Sequence, residues 1–295
     1  MILSYKFTKA FLLLFWVFTF ICKGQTKQVY SPNSGDLVTI FSKVLNEDRR
    51  IYIHYPTPDS GQVNKSYPVL YVMDGESHFD MLSQYTDYLS RWDVKVIPQM
   101  IVVGIVNTKR TRDLTPTSSI IDYFGKPDTS AHSWMKPSGG NEAFLQFIRK
   151  ELMPYVDTHY QTQPFKLFAG HSFGGIASIY CMITHPDMFN AYIAISPSFW
   201  WDREYVLKLA DKKLKKAAVL NKTLFYSDAS EGVTDSSSFH VNLLKFDALL
   251  KTKALKEFTY TYKYYPTETH MTEPIVAYYD ALRFIYKDWK STSAK

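Results

Sequence analysis

Apolar residues recur along this chain in two patterns, short unbroken runs and longer stretches with helical spacing, and their order predicts a layered architecture. Pro68-Val69-Leu70-Tyr71-Val72-Met73 and Met100-Ile101-Val102-Val103-Gly104-Ile105-Val106 are nearly continuous, the mark of strands covered on both faces. Between them, Phe79–Val94 spaces Met81, Leu82, Tyr85 and Leu89 as a helix does, and strand–helix–strand implies a parallel sheet. Phe165–Ala169, Ala191–Ser196 and Thr223–Ser227 read as further buried strands, and Phe258–Tyr265 as the last, with alternating aromatics. Val38–Leu45 and Arg50–Tyr55 flank the polar cluster Asn46-Glu47-Asp48 and predict an antiparallel hairpin. Helical spacing covers Asn141–Tyr160, Ile176–Thr184, Ser238–Leu250 and Pro274–Trp289, with Pro154 expected to bend or end the first. The sum is an α/β fold: a three-layer sandwich with a mainly parallel central sheet, entered through an N-terminal antiparallel hairpin.

One stretch breaks the pattern. From Asn107 to Gly140 the chain is polar, rich in turn formers and without a sustained period, which predicts either a rim or lid over a pocket or a plain insertion.

Residues 1–24 combine Lys6 and Lys9 with an apolar run from Ala10 to Cys22 followed by Gly24, the layout of a secretory signal peptide. The run is shorter than a spanning helix needs, so the expectation is an exported (periplasmic or secreted) monomer of residues 25–295, with no permanent membrane anchor. Cleavage removes three lysines and no acid, which lowers the formal charge from +6 to +3 and leaves no argument for a nucleic-acid partner. Cys181 is then the lone cysteine, and its apolar surroundings predict a buried structural thiol.

Chemistry concentrates at Gly170-His171-Ser172-Phe173-Gly174, followed by Gly175, between an apolar strand and a helix. That context fits a nucleophile elbow, in which a sharp strand-to-helix turn lifts the serine above an α/β-hydrolase sheet. A serine hydroxyl is a weak nucleophile near neutral pH and needs a base to take its proton. Partners in this fold follow in the order serine, acid, histidine, which leaves His185, His240 and His270. His270 lies just after the last predicted strand, where a loop can return over the elbow, and is the preferred base. Asp228, Glu231 and Asp235 follow the penultimate strand; Glu231 is the preferred acid. Oxyanion donors are expected from the backbone N–H of Phe173 and from Gly75 or Glu76, just after the strand ending at Met73. No histidine spacing suits zinc and no glycine-rich loop suits a phosphate, so neither metal nor cofactor is expected.

Several segments together resemble the esterase family typified by enterobactin and salmochelin esterases and related to feruloyl esterases and S-formylglutathione hydrolase. They are Tyr67–Gly75, Val103-Gly104-Ile105 with Arg112-Asp113-Leu114-Thr115-Pro116, Gly139-Gly140 with Phe144-Leu145, Gly170–Gly175, and Ser196-Pro197-Ser198-Phe199-Trp200-Trp201. The resemblance implies serine-dependent hydrolysis of a small-molecule ester, with a siderophore or other aromatic acyl ester first and a carbohydrate-linked acyl ester second. It implies that Trp200 and Trp201 stack on an aromatic acyl group, or instead pack on the elbow helix, and that Arg110 or Arg112 meets an anionic or catecholate group. Ser227-Asp228-Ala229-Ser230-Glu231 departs from the family pattern, which usually has a glycine before the acid, so the acid stays open among the three carboxylates. An acyltransferase with the same triad and a catalytically silent binding protein remain as alternatives.

Overall fold

The computed structural model describes residues 35–57, 65–230 and 238–290. The proposed leader, Glu231 and Asp235 lie outside the described residues. Strands β1 (Asp36–Ser42) and β2 (Glu47–His54) form the antiparallel hairpin, with Asp36 opposite Ile53 and Ser42 opposite Glu47. The turn therefore falls on residues 43–46, earlier than the polar cluster suggests. Two distant interactions set this register. Glu151 accepts the backbone N–H groups of Lys43 and Val44, and Glu47 is drawn into β2 to bond Arg49 and Arg112.

Strand β3 (Tyr67–Met73), helix α1 (Gly75–Ser90) and strand β4 (Ile101–Ile105) follow as the apolar pattern predicts. After the short α2 (Arg110–Leu114), the chain re-enters regular structure at α3 (Asn141–Phe147). A π-helical turn (Ile148–Leu152) joins α3 to α4 (Met153–His159), so Pro154 does not end the helix. Proline removes a helical N–H, and the wider turn just before it absorbs the change of hydrogen-bond register. The remaining elements are β5 (Thr162–His171), α5 (Phe173–Thr184), β6 (Ala191–Ile195), α6 (Trp201–Lys213), β7 (Val219–Ala229), α7 (Ser238–Lys253), β8 (Lys256–Tyr265) and α8 (Glu273–Ile285). Helix α6 is absent from the sequence-based expectation.

The eight strands form one sheet in the order β1-β2-β4-β3-β5-β6-β7-β8; β1/β2 and β2/β4 are antiparallel and every other pair is parallel. Alternation along β3 divides the core in two. Val69, Tyr71 and Met73 pack in the layer of Phe144, Ile176 and Val206, whereas Leu70 and Val72 pack with Phe79 and Tyr278. A strand buried on both faces needs apolar residues at every position, which is why β3 reads as an unbroken run. The irregular stretch after β4 belongs to the same body, because Leu114 and Met135 are both buried in the first of these layers. Because β3 through β8 run parallel, their carboxyl ends open onto one edge, where Asp74, Ser172 and Ser196 follow their strands directly. In open parallel sheets this is the edge that binds ligands.

Candidate active site

Ser172 joins β5 to α5 with φ 60° and ψ −114°, a conformation L-residues rarely adopt. Its backbone is tied on both sides: Ser172 N–H donates to the Ile195 carbonyl at 2.9 Å, and the Ser172 carbonyl accepts from Ile176 at 3.0 Å and Ser198 at 3.2 Å. The turn leaves no room at its base. A methyl group on Gly170 would lie 2.5 Å from the Gly174 carbonyl carbon, and one on Gly175 would lie 2.8 Å from the Ile195 oxygen. The Ser172 hydroxyl lies 3.3 Å from that of the buried Ser198.

Ser172 and His270 line one cavity of about 270 Å³, together with His171, His78, Asp74 and Arg110. His270 comes from the segment between β8 and α8, and its ring centroid lies 4.4 Å from that of His171. Burial pushes the His171 imidazole well below the usual histidine range, and the nearby His270, His78 and Arg110 act in the same direction. His78, packed edge-on to His171 at 6.0 Å, is also lowered by burial. Burial therefore favours the uncharged form of both rings.

Helix α1 begins at the same edge. Asp74 takes a left-handed conformation (φ 54°), and its carbonyl accepts the N–H groups of Ser77 and His78, so Gly75 and Glu76 supply the first N–H groups of the helix. A methyl group on Gly75 would lie 2.7 Å from the Gly104 carbonyl carbon, so this helix end sits directly on β4. The Glu76 carboxylate is held by the Asn107 side chain at 2.6 Å and the Asn107 backbone at 3.1 Å. Phe173, which heads α5, has its ring enclosed by Trp134, Trp200 and Trp201, with the Arg110 guanidinium 5.5 Å from its centroid.

The two arginines part company. Arg110 donates to both Asp74 oxygens, at 2.6 and 2.9 Å, and lines the cavity. Burial works against its charge, but the bonds to Asp74 more than offset this and raise its pKa. Arg112 is taken up elsewhere, correcting its expected role as a substrate contact: it bonds Glu47 and the buried Asp113, which also pairs with the fully buried Arg49. The tryptophans differ as well. Trp201 is fully buried with its indole N–H donating to the Thr117 carbonyl at 3.0 Å, so it has no face for a ligand, and Trp200 is almost as enclosed. Both pack against the ring of Phe173.

Asp228 is fully buried, and its carboxylate bonds His240 Nδ1 at 2.7 Å and the Tyr262 hydroxyl at 2.8 Å. His185 pairs with Glu142. A further carboxylate escaped the sequence reading: Glu273, the first residue of α8, is fully buried and accepts a bond from the Ser196 hydroxyl. Its only sequence signal is its place three residues after His270. Cys181 is buried, and desolvation pushes its thiol well up.

Among the described residues, no helix is long and apolar enough to cross a membrane, and no group of three or more His, Cys, Asp or Glu could hold a metal.

Comparison with known proteins gives concordant results. The ferri-bacillibactin esterase BesA of Bacillus subtilis is 32% identical over 176 residues, 56% of this chain and 60% of that protein. A siderophore enterobactin esterase of Emericella nidulans is 29% identical over 184 residues, 55% of this chain and 57% of that protein. The matches thus span less than two thirds of these relatives. The crystal structure of an IroE-like serine hydrolase from Shewanella oneidensis superposes with a TM-score of 0.80 at 33% identity, covering 88% of this chain and 82% of that one. That of the BES protein from Bacillus cereus, at 22% identity and a TM-score of 0.73, shares the fold. The family model described as "Putative esterase" matches residues 42–272, and the chain belongs to that family.

Proposed function

We propose that this protein is a serine esterase that cleaves a siderophore or other aromatic acyl ester through an acyl-enzyme intermediate. The observation that carries the reading is the strained Ser172 elbow sharing one cavity with His270, a residue 98 positions away in the chain. In this reading His270 takes the Ser172 proton as the hydroxyl oxygen attacks the ester carbonyl. The N–H groups of Phe173 and of Gly75 or Glu76 receive the oxyanion, and His270 returns the proton to the departing alcohol. Water, deprotonated by His270, then releases the acid. Glu231 is assigned to orient the imidazole; the engagement of Asp228 with His240 and Tyr262 favours a carboxylate further along the chain. The substrate class is supported by the relatives named as siderophore esterases. Export after removal of residues 1–24 is part of the same proposal.

Residues 25–295, tested on a short-chain nitrophenyl ester, a feruloyl ester and a catecholate siderophore, should hydrolyse at least one, with activity abolished by Ser172→Ala and His270→Ala. Equal turnover by wild type and Ser172→Ala would overturn the assignment.

A further inference from the structure

Beside the residues that line the cavity, the irregular stretch after β4 contributes exposed aromatic rings. Trp134 lies nearly parallel to Phe173, with ring centroids 5.9 Å apart and planes at 24°. Phe173 lies 5.8 Å from Trp200, which is 6.1 Å from Tyr123, and Tyr123 rests on Phe124 at 4.0 Å. Phe239 extends the series, 6.2 Å from Trp200 and 6.2 Å from His270. The rings thus run from the residue after the nucleophile to the expected base. Phe173 and Trp200 are buried and Phe239 is half-buried, but three rings are exposed: Trp134 54%, Phe124 68% and Tyr123 41%.

Exposed large aromatics cost solvation, and here Trp134 stacks on the residue after the strained serine while Tyr123 and Phe124 join the same series through the buried Trp200. Their mounting is firm, because the Trp134 carbonyl accepts from Thr111 at 3.0 Å and the next residue, Met135, is buried in the core. One face of Trp134 is already stacked on Phe173, so the group that matches its free face is another flat ring, in the offset or tilted arrangements aromatic pairs prefer. We propose that Trp134, stacked on Phe173, is an aryl-binding rim that selects esters carrying a flat aromatic group close to the scissile bond over saturated esters of the same size. Of the two alternatives that the resemblance leaves for Trp200 and Trp201, their burial favours packing, and the aryl contact falls to rings of the irregular stretch. This inference rests on Ser172 being the nucleophile, since that fixes where the ester lies.

Ethyl phenylacetate and ethyl cyclohexylacetate test it, because they match in size and differ in whether the ring is flat. Trp134→Leu keeps apolar bulk and should lower the ratio of kcat/KM for the phenyl over the cyclohexyl ester by about threefold to tenfold, the range spanned by aromatic pairs. Trp134→Phe should keep the ratio within about twofold. A ratio unchanged in Trp134→Leu, whether or not both rates fall together, would overturn the proposal and leave Trp134 a structural residue. Calorimetric binding of the two esters to Ser172→Ala, with and without Trp134→Leu, reads the same preference without turnover. If wild type turns over neither ester, a binding ratio that depends on Trp134 still supports the rim and one that does not overturns it, while the esterase reading itself stands or falls on the nitrophenyl, feruloyl and siderophore esters.

Discussion

His171 and His270 face each other with ring centroids 4.4 Å apart and planes tilted by 45°. One precedes the elbow serine in sequence; the other follows the last strand. The His171 ring is buried against His270, and that burial pushes its own imidazole well below the usual histidine range.

If Ser172 and His270 form a nucleophile–base pair, replacing either with alanine should lower kcat by about 10⁴-fold or more, since such residues act as a unit. A fluorophosphonate probe should label wild type and not Ser172→Ala. Labelling that persists in Ser172→Ala would place the nucleophile elsewhere.

The depressed His171 and His78 pKa values make a stability prediction. In the unfolded chain both imidazoles take up protons as pH falls below the usual histidine value of about 6.5, while in the folded protein they resist doing so. Their contribution is therefore intact above about pH 6.5 and declines as pH drops towards their folded values. Melting temperature should fall between pH 7 and pH 5, and His171→Phe should flatten that dependence. An unaltered slope in His171→Phe would show that another group sets it.

Arg110 and Arg112 should behave as opposites. Arg112→Met, which strands part of the Glu47–Asp113 network, should cost about 2 kcal/mol in chemical denaturation while leaving probe labelling of Ser172 intact. The bond from Arg112 holds the Glu47 carboxyl at about 2, so this contribution is present above the usual glutamate range and lost as pH falls towards 2. Arg110→Met should act on kcat/KM instead, because its guanidinium lines the cavity.

Gly170→Ala tests the elbow itself. Its methyl group would collide with the Gly174 peptide as well as with the end of the Met73 side chain, and because the peptide cannot swing aside the overpacking should cost about 1–3 kcal/mol and reduce activity by displacing Ser172. A stable, fully active variant would mean that the turn can relax.

Glu273→Ala removes a buried acceptor at the start of α8 and leaves the Ser196 hydroxyl without it, at an expected cost of about 1–3 kcal/mol. Because the Glu273 N–H donates to the Thr269 carbonyl, loosening this helix end should also lower turnover by disturbing His270. Glu273→Gln, which keeps an oxygen acceptor, should retain more of both. Loss of stability without any loss of turnover would separate Glu273 from the site.

Sequence alone determined whatever local periodicity and spacing encode. The unbroken run Val69–Met73 marked a strand covered on two sides, the glycines around Ser172 marked a tight turn, and the place just after the last strand made His270 the preferred base among three histidines. Tertiary structure decided what depends on distant partners. The hairpin register waited on Glu151, the roles of Arg110 and Arg112 on which carboxylates each meets, and the burial of Trp201 and exposure of Trp134 on how an aperiodic stretch folds over the elbow. Such choices turn on desolvation and pairing between residues far apart in the chain, and a side chain's type does not reveal which charge or ring will lie beside it.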